Sequence, residues 1–245
     1  MDTSDHARIA GKCSDCKTRS ATSFCNLSAP ASAELRSLKV PHSYLRGATL
    51  FMEGQPAKGV FILCSGHVKL STSSEEGRAI ILRIAGEGEV LGLGAVISGL
   101  PYEKTAQAND DCRVAFVKSQ DFLDLIQTHH EAALNALQQL SRNYHTAHLQ
   151  ICSLGLSSSV GDKLARLLLQ WYDASANGGG PVRISRTYTH GDIAEMIGTS
   201  RETVTRLLKD FKDRGLITLS KTEMCIPDRR MLRRAIGSKH RNGHV

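Results

Sequence analysis

Residues 188–228, YTHGDIAEMIGTSRETVTRLLKDFKDRGLITLSKTEMCIPD, constrain the fold more than any other stretch. Ile193, Ala194, Met196 and Ile197 share one face of a short helix, and Val204, Leu207, Leu208 and Phe211 share one face of a second. Helical spacing of this kind buries one side of each helix. Gly198 between them allows a tight turn. Thr189 with Asp192 and Thr199 with Glu202 place an acid three residues after a threonine, the capping-box signal for a helix start. Two short helices meeting at a glycine turn read as a helix-turn-helix.

The polar face of the second helix carries Arg201, Glu202, Thr205, Arg206 and Lys209, preceded by Ser200. A recognition helix offers such groups near its N-terminus to base edges in the major groove. Arginine grips guanine O6 and N7 with two hydrogen bonds, and a carboxylate accepts from cytosine N4. Arg201, Glu202 and Arg206 are therefore assigned to base reading, and Thr205 to a base or phosphate contact. A merely solvated helix would look similar, since Glu202 and Arg206 also form an i,i+4 pair worth about 0.3–0.5 kcal/mol. The next run, GLITLSKTEMCIP, decides the matter: it reads as a two-stranded wing whose loop carries Lys221. Charge agrees, because residues 181–245 hold 14 Lys+Arg against 7 Asp+Glu, whereas residues 1–180 hold 17 against 17. A basic module on a neutral body is the electrostatic footprint of phosphate binding.

Upstream, residues 45–117 contain short β-like runs cut by glycine about every ten residues, the spacing of an antiparallel roll or barrel. The period then changes: Ala133, Leu137, Leu140, Tyr144, Ala147, Ile151 and Leu154 repeat at intervals of 4 and 3. That is one long helix with a narrow seam, read as a symmetric dimer interface over a helix packed on its own roll. LGLSSSVGD marks a hinge, after which KLARLLLQWYDAS resumes a helical pattern. The fold class is α+β. The expected parts are a cysteine-bearing tail (1–28), a β-roll (29–128), a dimerisation helix (129–157), a winged helix-turn-helix (158–237) and a basic tail (238–245).

The tail contains KCSDCKTRSATSFC, three of the chain's seven cysteines. The N-terminal stretch has no apolar run fit for a signal peptide or membrane span, so the chain reads as soluble and cytoplasmic. In that reducing setting clustered thiols point to metal ligation or redox chemistry, with three unrelated free thiols as the plain alternative. Cys64, inside VFILC, reads as a buried small hydrophobe, and Cys152 and Cys225 are read the same way. His129 and His130 read as a solvated pair. The roll shows no clustered carboxylates, no Ser/His/Asp set and no P-loop, so no enzyme is expected.

Taken together, GDIAEMIGTSRETVTRLLKDFKDRGLI, the glycine-cut strands and the heptad helix resemble the CRP/FNR superfamily of bacterial transcription regulators over essentially the whole chain. The resemblance implies a cyclic-nucleotide-binding-like β-roll, a homodimer, palindromic double-stranded DNA and RNA polymerase as partners, and no membrane. Members that bind cyclic AMP carry a Gly-Glu-Leu element and an Arg-Ser pair. Here GLGAVISGLPYEKTA has Leu93 in place of the carboxylate and Lys104-Thr105 in place of Arg-Ser, so no cyclic AMP is expected. The oxygen-sensing branch holds a [4Fe–4S] cluster on three tail cysteines and one in the roll, which implies Cys13, Cys16, Cys25 and Cys112 as ligands here. The implied action is that the cluster favours the dimer and DNA binding, and that oxygen releases both. The tail's C-x2-C-x8-C spacing departs from the branch by a longer second gap. Zinc on four thiolates, a reversible Cys13–Cys16 disulfide, and a constitutive regulator with an idle tail remain the other readings.

Overall fold

Glycine ends most of the short strands of residues 45–117, and the turns are tight. Gly66 has φ 84°, and a side chain there would meet the Asp111 carbonyl at 2.7 Å. The computed structural model describes residues 23–77, 79–175, 180–185, 188–220 and 223–236. The chain divides into two compact units, residues 1–145 and 146–245.

In the first unit the strands are β1 (Val40–Tyr44), β2 (Thr49–Phe51), β3 (Gly59–Ser65), β4 (Val68–Ser73), β5 (Ala79–Ala85), β6 (Val90–Leu91), β7 (Thr105–Ala108) and β8 (Cys112–Lys118). They form two four-stranded sheets ordered β1-β8-β3-β6 and β2-β7-β4-β5. Every pairing is antiparallel, as the turn spacing required. Around them stand α1 (Ala29–Leu38), α2 (Leu93–Ser98), α3 (Ser119–Thr128) and the first half of α4 (His130–Leu156).

Side chains alternate across a strand, so β3, β6 and β8 of the first sheet each serve two cores. Phe61 and Leu63 of β3, with Cys112 and Val114 of β8, face a core shared with Phe51, Val68 and Leu70 of the second sheet. Val60 and Ile62 of β3, with Ala115 and Val117 of β8, face a second core made with Phe24, Leu35, Phe122 and Ala136. One face of the sheet thus closes the roll, and the other receives the helices. Gln139 of α4 locks this second layer: buried to 2 % exposure, it accepts from the Val90 N–H at 2.9 Å and donates to the Val90 carbonyl at 2.7 Å.

Helix α4 runs 27 residues, about 40 Å. Its expected seam divides. Leu137, Tyr144 and Ile151 are 62, 76 and 70 % exposed, joined by Leu134 at 51 %. Ala147 is also exposed. Leu140 instead packs against the unit's own core, and Leu154 is half-buried. The periodicity merged two neighbouring faces, because residues at 3–4 spacing drift around a straight helix of 3.6 residues per turn. The face packed on the roll is Ala132, Ala136 and Gln139.

The second unit holds α5 (Val160–Ser175), β9 (Val182–Ser185), α6 (His190–Ile197), α7 (Arg201–Asp213), β10 (Thr218–Leu219), β11 (Glu223–Ile226) and α8 (Arg229–Ala235). Its sheet order is β10-β11-β9, so the expected two-stranded wing has a third strand. Arg229 of α8 clamps Asp173 of α5 with two hydrogen bonds of 2.6 and 2.9 Å. Those bonds hold the Asp173 carboxyl below its ordinary range.

Candidate nucleic-acid interface and cysteine sites

Helices α6 and α7 are built as their apolar spacing dictates. Ile193, Ala194, Met196 and Ile197 are buried, as are Val204, Leu208 and Phe211; Leu207 is half-buried. Thr189 and Asp192 form the expected capping box, with the Asp192 N–H donating to Thr189 Oγ1 and the Thr189 N–H to Asp192 Oδ2. The second cap differs from expectation. Gly198 adopts φ 66° as the C-cap of α6, and the Thr199 N–H donates to the Ala194 carbonyl. Thr199 therefore belongs to the end of α6, and Ser200 caps α7 by accepting from the Thr203 N–H at 3.2 Å.

That one-residue shift matters for the site. Glu202 falls at the second helical position, one short of the capping-box place, and its carboxylate is not used by a box. Arg201, Glu202, Thr205, Arg206 and Lys209 are all exposed on α7. Thr205 Oγ1 donates to the Arg201 carbonyl at 2.9 Å and sits 2.8 Å from His190 Nδ1. His190, at the start of α6, thus fixes the Thr205 hydroxyl from across the turn, a contact that sequence reasoning missed. Its only advance signal was its place directly after the Thr189 cap. Lys221 lies outside the described residues. Three further cationic groups, Arg230, Arg233 and Arg234, stand exposed on α8.

Of the expected cluster ligands, Cys13 and Cys16 lie outside the described residues. Cys25 sits where the tail meets the body. Phe24 beside it is 1 % exposed, its N–H donates to the Gly88 carbonyl at 3.1 Å, and Asn135 of α4 donates to the carbonyls of both Phe24 and Asn26. Lys39 Nζ lies 3.6 Å from Cys25 Sγ, putting positive charge beside a sulfur.

Cys112 is placed differently. It is 2 % exposed and packs in the core between the two sheets, whereas Cys25 packs against the core on the helical side. Burial pushes the Cys112 thiol up to about 11, with Asp110 and Asp111 adding to the rise. Among the described residues no group of three metal-binding side chains converges. Of the four expected ligands the structure describes Cys25 and Cys112, and it places them on opposite faces of the first sheet.

Cys64, Cys152 and Cys225 are half-buried, not the fully buried thiols expected of them. Cys112 is the buried one among the described residues. His129 is no solvated residue either, since its Nε2 lies 2.8 Å from Glu34 Oε2, while His130 is 94 % exposed. In the segment that resembles a cyclic-nucleotide site, Leu93 is 2 % exposed. Lys104 pairs with Glu103 at 3.1 Å, and Thr105 Oγ1 accepts from the Glu53 N–H. Among the described residues no helix is long and apolar enough to cross a membrane.

Comparison with known proteins agrees with this architecture. Residues 41–129 match the cyclic nucleotide-binding domain, and residues 162–235 match the Crp-like helix-turn-helix domain. The chain is 29 % identical over 197 residues to a CRP-like cAMP-activated global transcriptional regulator of Mycobacterium tuberculosis, covering 80 % of this chain and 88 % of that protein. It is 28 % identical over 189 residues to a global nitrogen regulator of Synechocystis, covering 76 % and 84 %. Among solved structures it superposes on FixK2 from Bradyrhizobium japonicum with TM-score 0.70 at 22 % identity, covering 82 % of this chain and 98 % of that one. A CRP-family transcriptional regulator from Thermus thermophilus gives TM-score 0.61 at 26 % identity, covering 80 % and 97 %. With a β-roll of the cyclic-nucleotide-binding type, a long helix and a Crp-like helix-turn-helix in that order, the chain belongs to the CRP/FNR family of DNA-binding transcription regulators.

Proposed function

We propose that this regulator is a homodimer that reads a palindromic DNA site through α7 and sets its affinity by the state of its cysteine tail, with a [4Fe–4S] cluster as the group the tail holds. The observation that carries the DNA reading is the first turn of α7. There Ser200 completes the cap alone, leaving Arg201, Glu202, Thr205 and Arg206 exposed on one face. Arg201, Glu202 and Arg206 take base edges, Thr205 and Ser200 take a base or phosphate, and Lys209 and Lys221 take phosphates.

The dimer reading rests on Leu134, Leu137, Tyr144 and Ile151, which form an apolar stripe exposed along α4. A dimer sets two recognition helices about 34–36 Å apart, one turn of DNA. By the same resemblance RNA polymerase is the partner on bound DNA. The tail reaches this machinery through Asn135, which holds Phe24 and Asn26 against α4. A cluster there would supply an oxygen-labile group bound by thiolates. Lys39 beside Cys25 also favours a second reading, a thiol or zinc switch without iron.

One experiment separates these readings. Protein purified without oxygen is assayed for iron, sulfide and visible absorbance, and gel shifts are run with and without air, zinc chelator and cyclic AMP. Iron with sulfide, and affinity lost in air, are expected. Iron-free protein that responds to chelator or reductant would replace the cluster by the thiol or zinc switch. A response to cyclic AMP alone would replace both, and no response would make the tail idle.

A further inference from the structure

We propose that His190 sets a base preference of α7 by occupying the Thr205 hydroxyl, so that Thr205 meets DNA with its methyl group and selects a thymine. The inference rests on α7 as the reading helix and assigns one of its contacts. A threonine hydroxyl has one proton to give and two lone pairs. Here the proton goes to the Arg201 carbonyl, 2.9 Å from Thr205 Oγ1. A bond to the carbonyl four residues back is a common choice of a helical threonine, and on its own it leaves two χ1 wells in exchange. A second bond ends that exchange. His190 Nδ1 lies 2.8 Å from the same oxygen, and since the hydroxyl proton is already given, the ring supplies its Nδ1–H.

The hydroxyl is then closed to every acceptor on the duplex. Phosphate oxygens, guanine N7 and O6, adenine N7 and thymine O4 all accept, and this group has no proton to offer them. His190 is held in place for the task. It is the first residue of α6, it follows Thr189, whose capping box with Asp192 fixes the turn, and it is itself half-buried. Thr205 is nonetheless exposed. With its oxygen turned to the backbone of α7 and to α6, the part left open is the methyl. That methyl stands one turn beyond Arg201 and one turn before Lys209, on the face that carries Glu202. In the major groove an apolar group of this size has one distinct partner, the thymine C5 methyl.

The test uses the full chain, purified without oxygen, and a palindrome that it selects from a randomised duplex pool. Each thymine of one half-site is replaced in turn by deoxyuridine, which lacks only the methyl. At one position the parent loses about threefold to fivefold in affinity by gel shift, the worth of one buried methyl group. Thr205→Ser, which keeps the hydroxyl, binds the thymine and deoxyuridine duplexes equally, and Thr205→Val, which keeps a methyl, retains the difference. His190→Ala at least halves the thymine-to-uracil ratio. His190→Asn, whose amide N–H takes the place of Nδ1–H, restores it, with circular dichroism and thermal unfolding confirming that each variant is folded. A parent indifferent to every deoxyuridine, a ratio that survives in Thr205→Ser, or binding lost in Thr205→Val and kept in Thr205→Ser overturns the methyl assignment. A ratio unchanged in His190→Ala overturns the role of His190. If Arg201→Ala and Thr205→Ala both leave affinity for the selected palindrome unaltered, α7 is not the reading helix, and that reading falls together with the inference.

Discussion

At the scale of single residues, the buried thiol of Cys112 links stability to pH. Cys112 is buried and its thiol is pushed up to about 11, while an unfolded cysteine ionises near 8.5. The folded state therefore holds its proton more tightly than the unfolded chain. Stability from this group is full below about pH 8.5 and falls as pH rises toward 11, by about 3 kcal/mol in all. Urea unfolding of Cys112→Ala should lose that part of the pH dependence between pH 8 and 11, and an unchanged slope would show that the thiol is not held neutral. Arg201 and Arg206 carry a prediction of another kind. Each alanine variant should cost about 1–3 kcal/mol on a specific site and relax preference at one base pair. Equal losses on specific and random DNA would reassign that arginine to phosphate.

At the scale of elements, α4 has two apolar faces with different work. Ala132, Ala136 and Gln139 are buried against the roll, and Leu134, Leu137, Tyr144 and Ile151 are open along the other side. Tyr144→Asp or Ile151→Asp should leave circular dichroism and thermal unfolding of the dilute protein nearly unchanged, because an exposed site has no core to lose. Sedimentation should shift from dimer to monomer, and a dimer that survives both changes would place the interface elsewhere. Gln139→Leu should do the reverse: it strands the Val90 N–H and carbonyl, which costs about 1–3 kcal/mol of stability without breaking the dimer. The period of the sequence exposed α6, α7 and α4, because a helix prints its buried face as local spacing. It did not expose which of two apolar stripes on α4 meets the roll, since both follow the same 3–4 rhythm. The Ser200 cap was obscured for a related reason. Thr199 and Glu202 fit the box equally well until the Gly198 turn claims Thr199 for α6. That Cys25 and Cys112 lie on opposite sides of the first sheet needs the parity of a strand and the identity of the layer on each side, which no short stretch of sequence contains.

At the scale of the whole molecule, the charge excess and the dimer stripe combine into one prediction about DNA. The excess of cationic groups lies in residues 181–245, so each helix-turn-helix brings its own phosphate contacts. One module alone would hold any DNA weakly. Two modules joined through α4 bind a palindrome together, and the second contact forms at the high effective concentration set by the first. The parent protein should therefore prefer a palindrome with half-sites one turn apart, and inserting about 5 base pairs between them should rotate one half-site to the far side of the duplex and remove most of that preference. Ile151→Asp should bind both DNAs equally and weakly. The slope of log affinity against log salt should also be about twice as steep for the parent as for this variant, because twice as many phosphates are neutralised when both modules engage. Gel shifts on the two spacings across a salt series measure all of this at once. Indifference of the parent to the insertion would mean that its two recognition helices do not act as a pair, even if the protein is a dimer in solution.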